Sequence, residues 1–278
     1  MKPILFHFFD FPVPSFAVMM VLGYVVALFV LYLQVRRATP EERAQGLNAA
    51  QVWDLFIVMT VSSILGSKLG HTIFEAPGHI TEDGTKIESL WQLLRYDPWH
   101  WLRLGESGHV WYGGLIGALL VAVYYFHRRP NLSAPMISDA FAAAITAGAV
   151  PGRIGCFLAG CCHGKPSTSA WAVQLPKLPG PVYPTQLFDA SVALALTILS
   201  FWLFRRRRFD GQVISILLLG YSTFRFVSDV FRGDEDRGRI LVLSTSQFLS
   251  IPLFLTGLGL YFYLSKRKLA ASAPTPVA

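Results

Sequence analysis

The sequence predicts an all-α polytopic membrane protein, and three observations carry that prediction. Apolar residues make up 53% of the 278-residue chain and charged residues only 15%. The apolar residues arrive in blocks of about 20, the length of helix that crosses a bilayer. The basic residues gather in short clusters where those blocks end, the pattern that sets membrane topology. A chain this apolar is not a pair of soluble domains. Its net charge of +7 sits at block ends rather than on a patch, which speaks against a nucleic-acid partner.

Taken in order, residues 1–14 are aromatic and proline-containing, and they lack the small-residue cleavage site of a removable signal peptide. Residues 15–35 form a first span, closed by Arg36 and Arg37. A polar linker, 38–48, precedes a second span at 49–74. Residues 75–109 carry six acidic and three basic residues, with tryptophans at 91, 99 and 101. Tryptophan favours the headgroup level, so this segment is assigned to the interface or periplasm. A third span, 110–126, ends at His127, Arg128 and Arg129. The fourth, 135–150, is short and is expected to break at Pro151-Gly152, as a discontinuous or re-entrant element would. Residues 164–183 form a loop rich in Pro, Ser, Thr and Gly. A fifth span, 185–204, stops at four arginines, 205–208. The sixth, 212–231, precedes a charged loop at 232–239. The seventh, 245–265, precedes Lys266, Arg267 and Lys268. The reading is one seven-helix domain over residues 1–268, with a disordered tail at 269–278.

Alternate loops beginning after the first span hold Arg36, Arg37, Arg43, Arg128, Arg129, the arginines 205–208, Lys266, Arg267 and Lys268, twelve basic residues in all. That bias puts the N-terminus on the outer, periplasmic side and the C-terminus in the cytoplasm. It also places residues 151–166, PGRIGCFLAGCCHGKP, on the outer side. No internal repeat is evident, which weighs against an inverted-repeat transporter.

Residues 151–166 concentrate an arginine, glycines, all three cysteines and a histidine in an apolar chain. Irregular backbone at membrane depth must be buried in protein or line a cavity. Arg153 either snorkels or clamps an anion, because guanidinium stays charged and forks onto two phosphate oxygens. Gly155 and its neighbours allow backbone N–H groups to approach the same anion. Arg225 and Asp229 lie four apart on one helix face, with Arg232 three further on. They form either a structural ion pair or a second phosphate-binding arginine held by Asp229. Gln186 and Asp189, three apart, either hydrogen-bond a headgroup or orient an arginine. Trp111 and Tyr112 suit the aromatic belt, while Gly113-Gly114 invites close approach of a ligand beside the Tyr112 hydroxyl. Asp54 and Lys68 share a helix face near opposite ends, and Lys68 either snorkels or adds positive charge to the outer cavity. The spacing C-x4-C-C-H at Cys156, Cys161, Cys162 and His163 is not a standard zinc pattern, and adjacent cysteines chelate one ion poorly. No metal and no cofactor is assigned. Thiols lining a pocket, or a disulfide from Cys156, are the readings left open.

These residues resemble prolipoprotein diacylglyceryl transferases, through GSKLG at 66–70, GHVWYGGLIG at 108–117, PGRIGCFLAGCCHG at 151–164, YPTQLFD at 183–189, GYSTFRFVSDVFR at 220–232 and SQFLSIP at 246–252. The resemblance implies seven transmembrane helices around a periplasm-facing lipid cavity. It implies transfer of a diacylglyceryl group from phosphatidylglycerol to the lipobox cysteine of a preprolipoprotein signal peptide, the first step of lipoprotein maturation. Membrane lipids, not nucleic acid, are then the partners. It makes Arg153 and Arg225 the essential arginines, with Tyr112 as third catalytic candidate. It places Tyr183, Gly155, Cys156, Cys161, Gly164, His163, Gln186, Asp189 and Asp229 in the substrate lining. The family often has histidine at the place of Tyr112, asparagine at Cys156, glutamate at Cys161, and histidine and glutamate at Tyr183 and Asp189. Either the base is dispensable, or another residue such as His163 replaces it, or the chain is a divergent paralogue that binds an anionic phospholipid or serves a different acceptor.

Overall fold

The computed structural model describes residues 3–9, 11–74, 91–92, 95, 111–176, 178–233, 239–240 and 242–271. In chain order the elements are a hairpin of β1 (Ile4–Phe8) and β2 (Phe11–Pro14), then α1 (Ser15–Arg36), α2 (Pro40–Ala44), α3 (Ala49–Phe74) and α4 (Trp111–Arg128). They continue with α5 (Ala134–Ala159), β3 (Val173–Gln174), β4 (Pro181–Val182), α6 (Thr185–Phe204) and α7 (Gln212–Ser228). A 3-10 turn (Asp229–Phe231), a short hairpin of β5 (Arg239–Ile240) and β6 (Leu243–Ser244), and α8 (Thr245–Ala271) are the last of the described elements. The three two-stranded pairs among the described residues are antiparallel.

Six of these helices are long and apolar enough to cross a membrane: α1, α3, α5, α6, α7 with its 3-10 turn, and α8. The protein is therefore an all-α polytopic membrane protein. The 18 residues of α4 coincide with the third expected span and carry Trp111, Tyr112, His127 and Arg128 at their ends. Residues 75–90, most of 93–110, and 272–278 hold the expected interfacial segment and tail, and they lie outside the described residues. α8 runs to Ala271, three residues into the expected tail.

One correction concerns α5. The expected break at Pro151-Gly152 does not occur: the helix passes through Pro151 and continues to Ala159. A proline removes one helical hydrogen bond, and neighbouring helices make that tolerable in a membrane protein. Here α1 supplies the support. A Cβ on Gly23 would lie 2.6 Å from the Gly148 carbonyl oxygen, and one on Gly155 would lie 2.9 Å from Met19 Cβ. Only glycine permits such contact, the small-residue packing by which helices associate in lipid.

The chain divides into two compact units, Pro40–Ala134 and the remainder, Met1–Thr39 with Pro135–Ala278. Within the smaller unit α3 and α4 run antiparallel in backbone contact. A Cβ on Gly113 would lie 2.3 Å from the Gly66 carbonyl oxygen, and one on Gly117 2.4 Å from that of Ser62. The close approach anticipated for a ligand at Gly113-Gly114 is thus made by α3 itself. Lys68 is 1% exposed, so it does not snorkel. Asp54 pairs with Arg129 at 3.2 Å, and the Arg129 guanidinium lies over the Tyr125 ring.

Within the larger unit, Asp139 of α5 is fully buried and accepts the backbone N–H groups of Gly211 and Ile214, each at 2.8 Å. It thereby caps α7 from a distant helix, satisfying donors that a helix start leaves open. Thr197 of α6 donates to Thr146 of α5 at 2.9 Å. These ties hold the start of α7 to the first turns of α5 and the middle of α6 to the middle of α5, and the candidate site lies at the far end of α5.

Candidate functional site

The site begins where α5 stops. Gly160 adopts φ 78°, its N–H bonds to the Phe157 carbonyl, and the Cys161 N–H reaches back to the Cys156 carbonyl at 3.1 Å. This pair of bonds is a Schellman closure, which needs a left-handed residue just past the helix. Cys162 is left-handed too, at φ 59°, a backbone that non-glycine residues rarely adopt. The reversal brings the Sγ atoms of Cys156, Cys161 and Cys162 within 4.8 Å of one another, all as free thiols. Of the readings the sequence leaves open, a disulfide from Cys156 or thiols lining a pocket, the structure shows the three as free thiols in one group. Two consecutive left-handed-type reversals, at 160 and 162, fold residues that an extended chain would splay apart.

Hydrogen bonds from the Cys156 and Cys161 thiols, with a contribution from Arg232, hold Cys162 below the ordinary thiol range against the opposing effect of burial. For Cys161 the hydrogen bond with Cys156 acts downward, but the one with Cys162 and burial outweigh it and raise the thiol.

The first turn of α6 holds this reversal in place. Gln186 Nε2 donates to the Cys161 carbonyl at 2.6 Å, and Thr185 Oγ1 donates to the Cys162 carbonyl at 2.9 Å. The next residues are zipped to two other segments. The Gly164 N–H bonds to the Tyr183 carbonyl, Lys165 N–H to Phe231, and Gly233 N–H to His163. A Cβ on Gly164 would lie 2.6 Å from Tyr183 Cβ, so its place in the wall is steric. The Tyr183 ring meets Phe231 edge-on at 5.6 Å. His163 Nδ1 lies 3.1 Å from the Gly164 carbonyl oxygen. A carbonyl only accepts, so in the neutral ring the proton sits on Nδ1 and Nε2 keeps its lone pair.

Two guanidinium clusters follow from this framework. In the first, Asp189 Oδ2 lies 3.1 Å from Arg153 Nη1 and 3.7 Å from Arg232 Nη1. The Asp189 and Arg232 side chains are 5% and 3% exposed, whereas Arg153 keeps 27%. One carboxylate thus serves two cations, and the more open of them is Arg153. In the second, Arg225 Nη2 lies 3.3 Å from Asp229 Oδ1 and donates to Ser246 Oγ at 2.8 Å. The Ser244 hydroxyl donates to the other oxygen of Asp229. Arg153 also interacts electrostatically with Tyr221, one turn before Arg225 on α7, and with Cys156.

The structure therefore gathers Arg153, Gly155, Cys156, Cys161, His163, Gly164, Tyr183, Gln186 and Asp189 around the end of α5, and it sets Arg225 of α7 beside Asp229 of the 3-10 turn. Gln186 serves the cysteine turn, and Asp189, one turn on, serves arginines. Tyr112 opens α4 in the other unit and is partly exposed. Arg232 reaches Asp189, because the helix tightens at 229–231 and the chain then extends at Arg232. Sequence reasoning missed that contact, along with Ser244, Ser246 and Tyr221. No periodic signal marks partners that meet across a turn.

Chemically, the arrangement offers more cationic than anionic side chains in a poorly hydrated place. Such an excess favours an anionic ligand such as a phosphate.

Residues 3–263 match the family described as prolipoprotein diacylglyceryl transferase. The phosphatidylglycerol–prolipoprotein diacylglyceryl transferase of Bordetella avium is 32% identical over 251 residues, which is 88% of this chain and 89% of that protein. A second enzyme of that name in Clostridium perfringens, numbered 2, is 31% identical over 267 residues, 94% of each chain. The one from Clostridium tetani is 29% identical over 266 residues, 94% of this chain and 97% of that protein.

Proposed function

The chain belongs to the prolipoprotein diacylglyceryl transferase family, and from that premise we propose that it transfers the diacylglyceryl group of phosphatidylglycerol to the lipobox cysteine thiol of preprolipoproteins. The observation that carries the reading is the Asp189 cluster, where two guanidinium groups share one carboxylate. The reaction displaces a phosphate from a glycerol carbon. Negative charge grows on the departing phosphate oxygen, so a fixed cation there stabilises the transition state more than the ground state. Arg153 is the partly exposed member of the cluster and takes that oxygen. Asp189 aims it, and buried Arg232 keeps Asp189 from neutralising it fully. Arg225, braced by Asp229 and Ser246, takes the other phosphate oxygens or the glycerol headgroup. The attacking sulfur must be a thiolate. Tyr112 and His163 are the protein groups proposed to receive its proton, and Nε2 of His163 is the nitrogen with a lone pair. The remaining lining is Tyr183, Gly155, Gly164, Cys156, Cys161 and Gln186.

The reading extends to topology. Residues 1–268 form one domain of seven crossings with α4 as the seventh, N-terminus periplasmic and C-terminus cytoplasmic. The protein lies in the bacterial inner membrane with its site facing the periplasm. The twelve basic residues in alternate loops support this orientation.

The test is lipidation of a reporter lipoprotein in a strain depleted of its own transferase. Alanine at Arg153 or Arg225 should lower the rate by a factor on the order of 10²–10³, the usual cost of losing one charge-stabilising donor. Full activity of both variants would sink the phosphate-clamp role. The cysteine trio and Tyr112 favour one second reading, a paralogue that serves a different acceptor. A wild-type chain that is well expressed yet fails to rescue lipoprotein maturation would decide for it.

A further inference from the structure

We infer that Cys156, Cys161 and Cys162 bind one zinc ion, and that its open fourth position takes and activates the acceptor thiol. The inference rests on the transferase reading above for the identity of that thiol. The zinc site itself rests on geometry alone.

Three sulfurs within 4.8 Å of one another are close to what one ion requires. Tetrahedral zinc with bonds of about 2.3 Å sets its sulfurs about 3.8 Å apart, so the thiols need to close by only about 1 Å. The backbone that carries them is built in advance. Gly160 and Cys162 adopt the left-handed reversal, and Gln186 and Thr185 hold the carbonyl groups of Cys161 and Cys162. Side chains that direct ligands in this way are what a metal site needs beyond its ligands. The charge is compensated as well. Three thiolates and Zn²⁺ sum to minus one, and Arg232 reaches Cys162 while Arg153 neighbours Cys156. A soft thiolate set selects Zn²⁺ or Cu⁺ over hard cations.

The site is incomplete as a structural one. Among the described residues the group has three members, and structural zinc sites close with four. Nδ1 of His163 is turned to the Gly164 carbonyl. Cys156 is buried, whereas Cys161 is exposed, so one side is open. Three protein ligands with an open position are the pattern of catalytic zinc. A thiol that enters that position loses its proton outright, so the displacement needs no strong side-chain base. The zinc-bound thiolate attacks the glycerol carbon. A carbon–sulfur bond forms as the carbon–oxygen bond to phosphate breaks, and the bonding pair leaves on the phosphate oxygen beside Arg153. The thiol proton passes to solvent or to the departing phosphate. No atom changes oxidation state, and the neutral thioether, a weaker ligand, departs. The cysteines, idle in an arginine-only scheme, thereby acquire a role.

The full-length protein is purified in detergent and its metal content measured, with Cys161→Ser and Cys162→Ser variants beside it. The expected result is about one zinc per chain, falling below about a tenth in either variant. Exposed Cys161 tolerates serine, and monodisperse elution with unchanged helix content verifies the fold. The zinc is then exchanged for cobalt(II), whose thiolate charge-transfer band counts sulfur ligands. A lipobox peptide with cysteine should raise that band by about a third, from three sulfurs to four, and its serine counterpart should not. No zinc, copper in its place, a disulfide within the trio, or a band unmoved by the cysteine peptide each overturn the inference. Lipidation assays on metal-free protein separate it from the transferase reading. Undiminished transfer without zinc removes the zinc role and leaves the transferase. A peptide-responsive cobalt site without any transfer from phosphatidylglycerol keeps the thiol site and removes the transferase.

Discussion

Asp189 meets two guanidinium groups with one carboxylate, at 3.1 Å to Arg153 and 3.7 Å to Arg232. Asparagine there would remove the carboxylate that buried Arg232 and partly exposed Arg153 share. Loss of one partner from a buried pair costs about 3–5 kcal/mol, so Asp189→Asn should lower thermal stability in detergent and slow lipidation together. A variant as stable as wild type would mean that the cluster is hydrated. Arg153→Lys separates charge from shape. Lysine keeps the cation but loses the planar fork, so lipidation should fall by about tenfold, between wild type and alanine. At this scale Arg153, Arg225 and Asp229 were legible, because a charge in an apolar run is conspicuous and must be paired or functional. Their partners were mostly not. The Arg225–Asp229 pair follows from helical spacing, whereas the Asp189–Arg232 contact joins residues on either side of α7 in the chain.

Helix boundaries were more legible than partners. α3 and α6 match the predicted spans, since polar or basic residues flank apolar blocks of crossing length. The hairpin at residues 4–14 and the helix Pro40–Ala44 were not anticipated, because neither carries a sustained period. Pro151 misled for a physical reason: local propensity counts the lost hydrogen bond and cannot see α1 packed alongside. The glycines test this view of packing. Gly117→Ala would place its Cβ 2.4 Å from the Ser62 carbonyl oxygen, whereas a Cβ on Gly259 meets nothing within 4 Å. Overpacking of this kind costs about 1–3 kcal/mol, so Gly117→Ala should unfold at lower temperature and Gly259→Ala should be near neutral. Equal stabilities would show that α3 and α4 separate without penalty.

For the whole molecule, the distribution of lysine and arginine predicts orientation, and reporter fusions measure it. A fluorescent protein at the C-terminus should fold and fluoresce, and alkaline phosphatase at the same point should stay inactive; the opposite pair of results would invert the proposed topology. The sequence by itself determined the class of molecule and the family. Hydropathy in blocks of bilayer length and six ordered motifs are properties of the chain read linearly, and they need no knowledge of contacts. Only the tertiary structure decided what those motifs hold together. It carried α5 through Pro151, gave Gly113 to α3, joined Arg232 to Asp189 and drew three cysteines into one group. Each of these depends on a chain reversal or on a neighbouring helix. A bilayer specifies how long and how apolar a segment must be, but which side chains meet is set by backbone geometry at a few residues, such as Gly160 and Cys162.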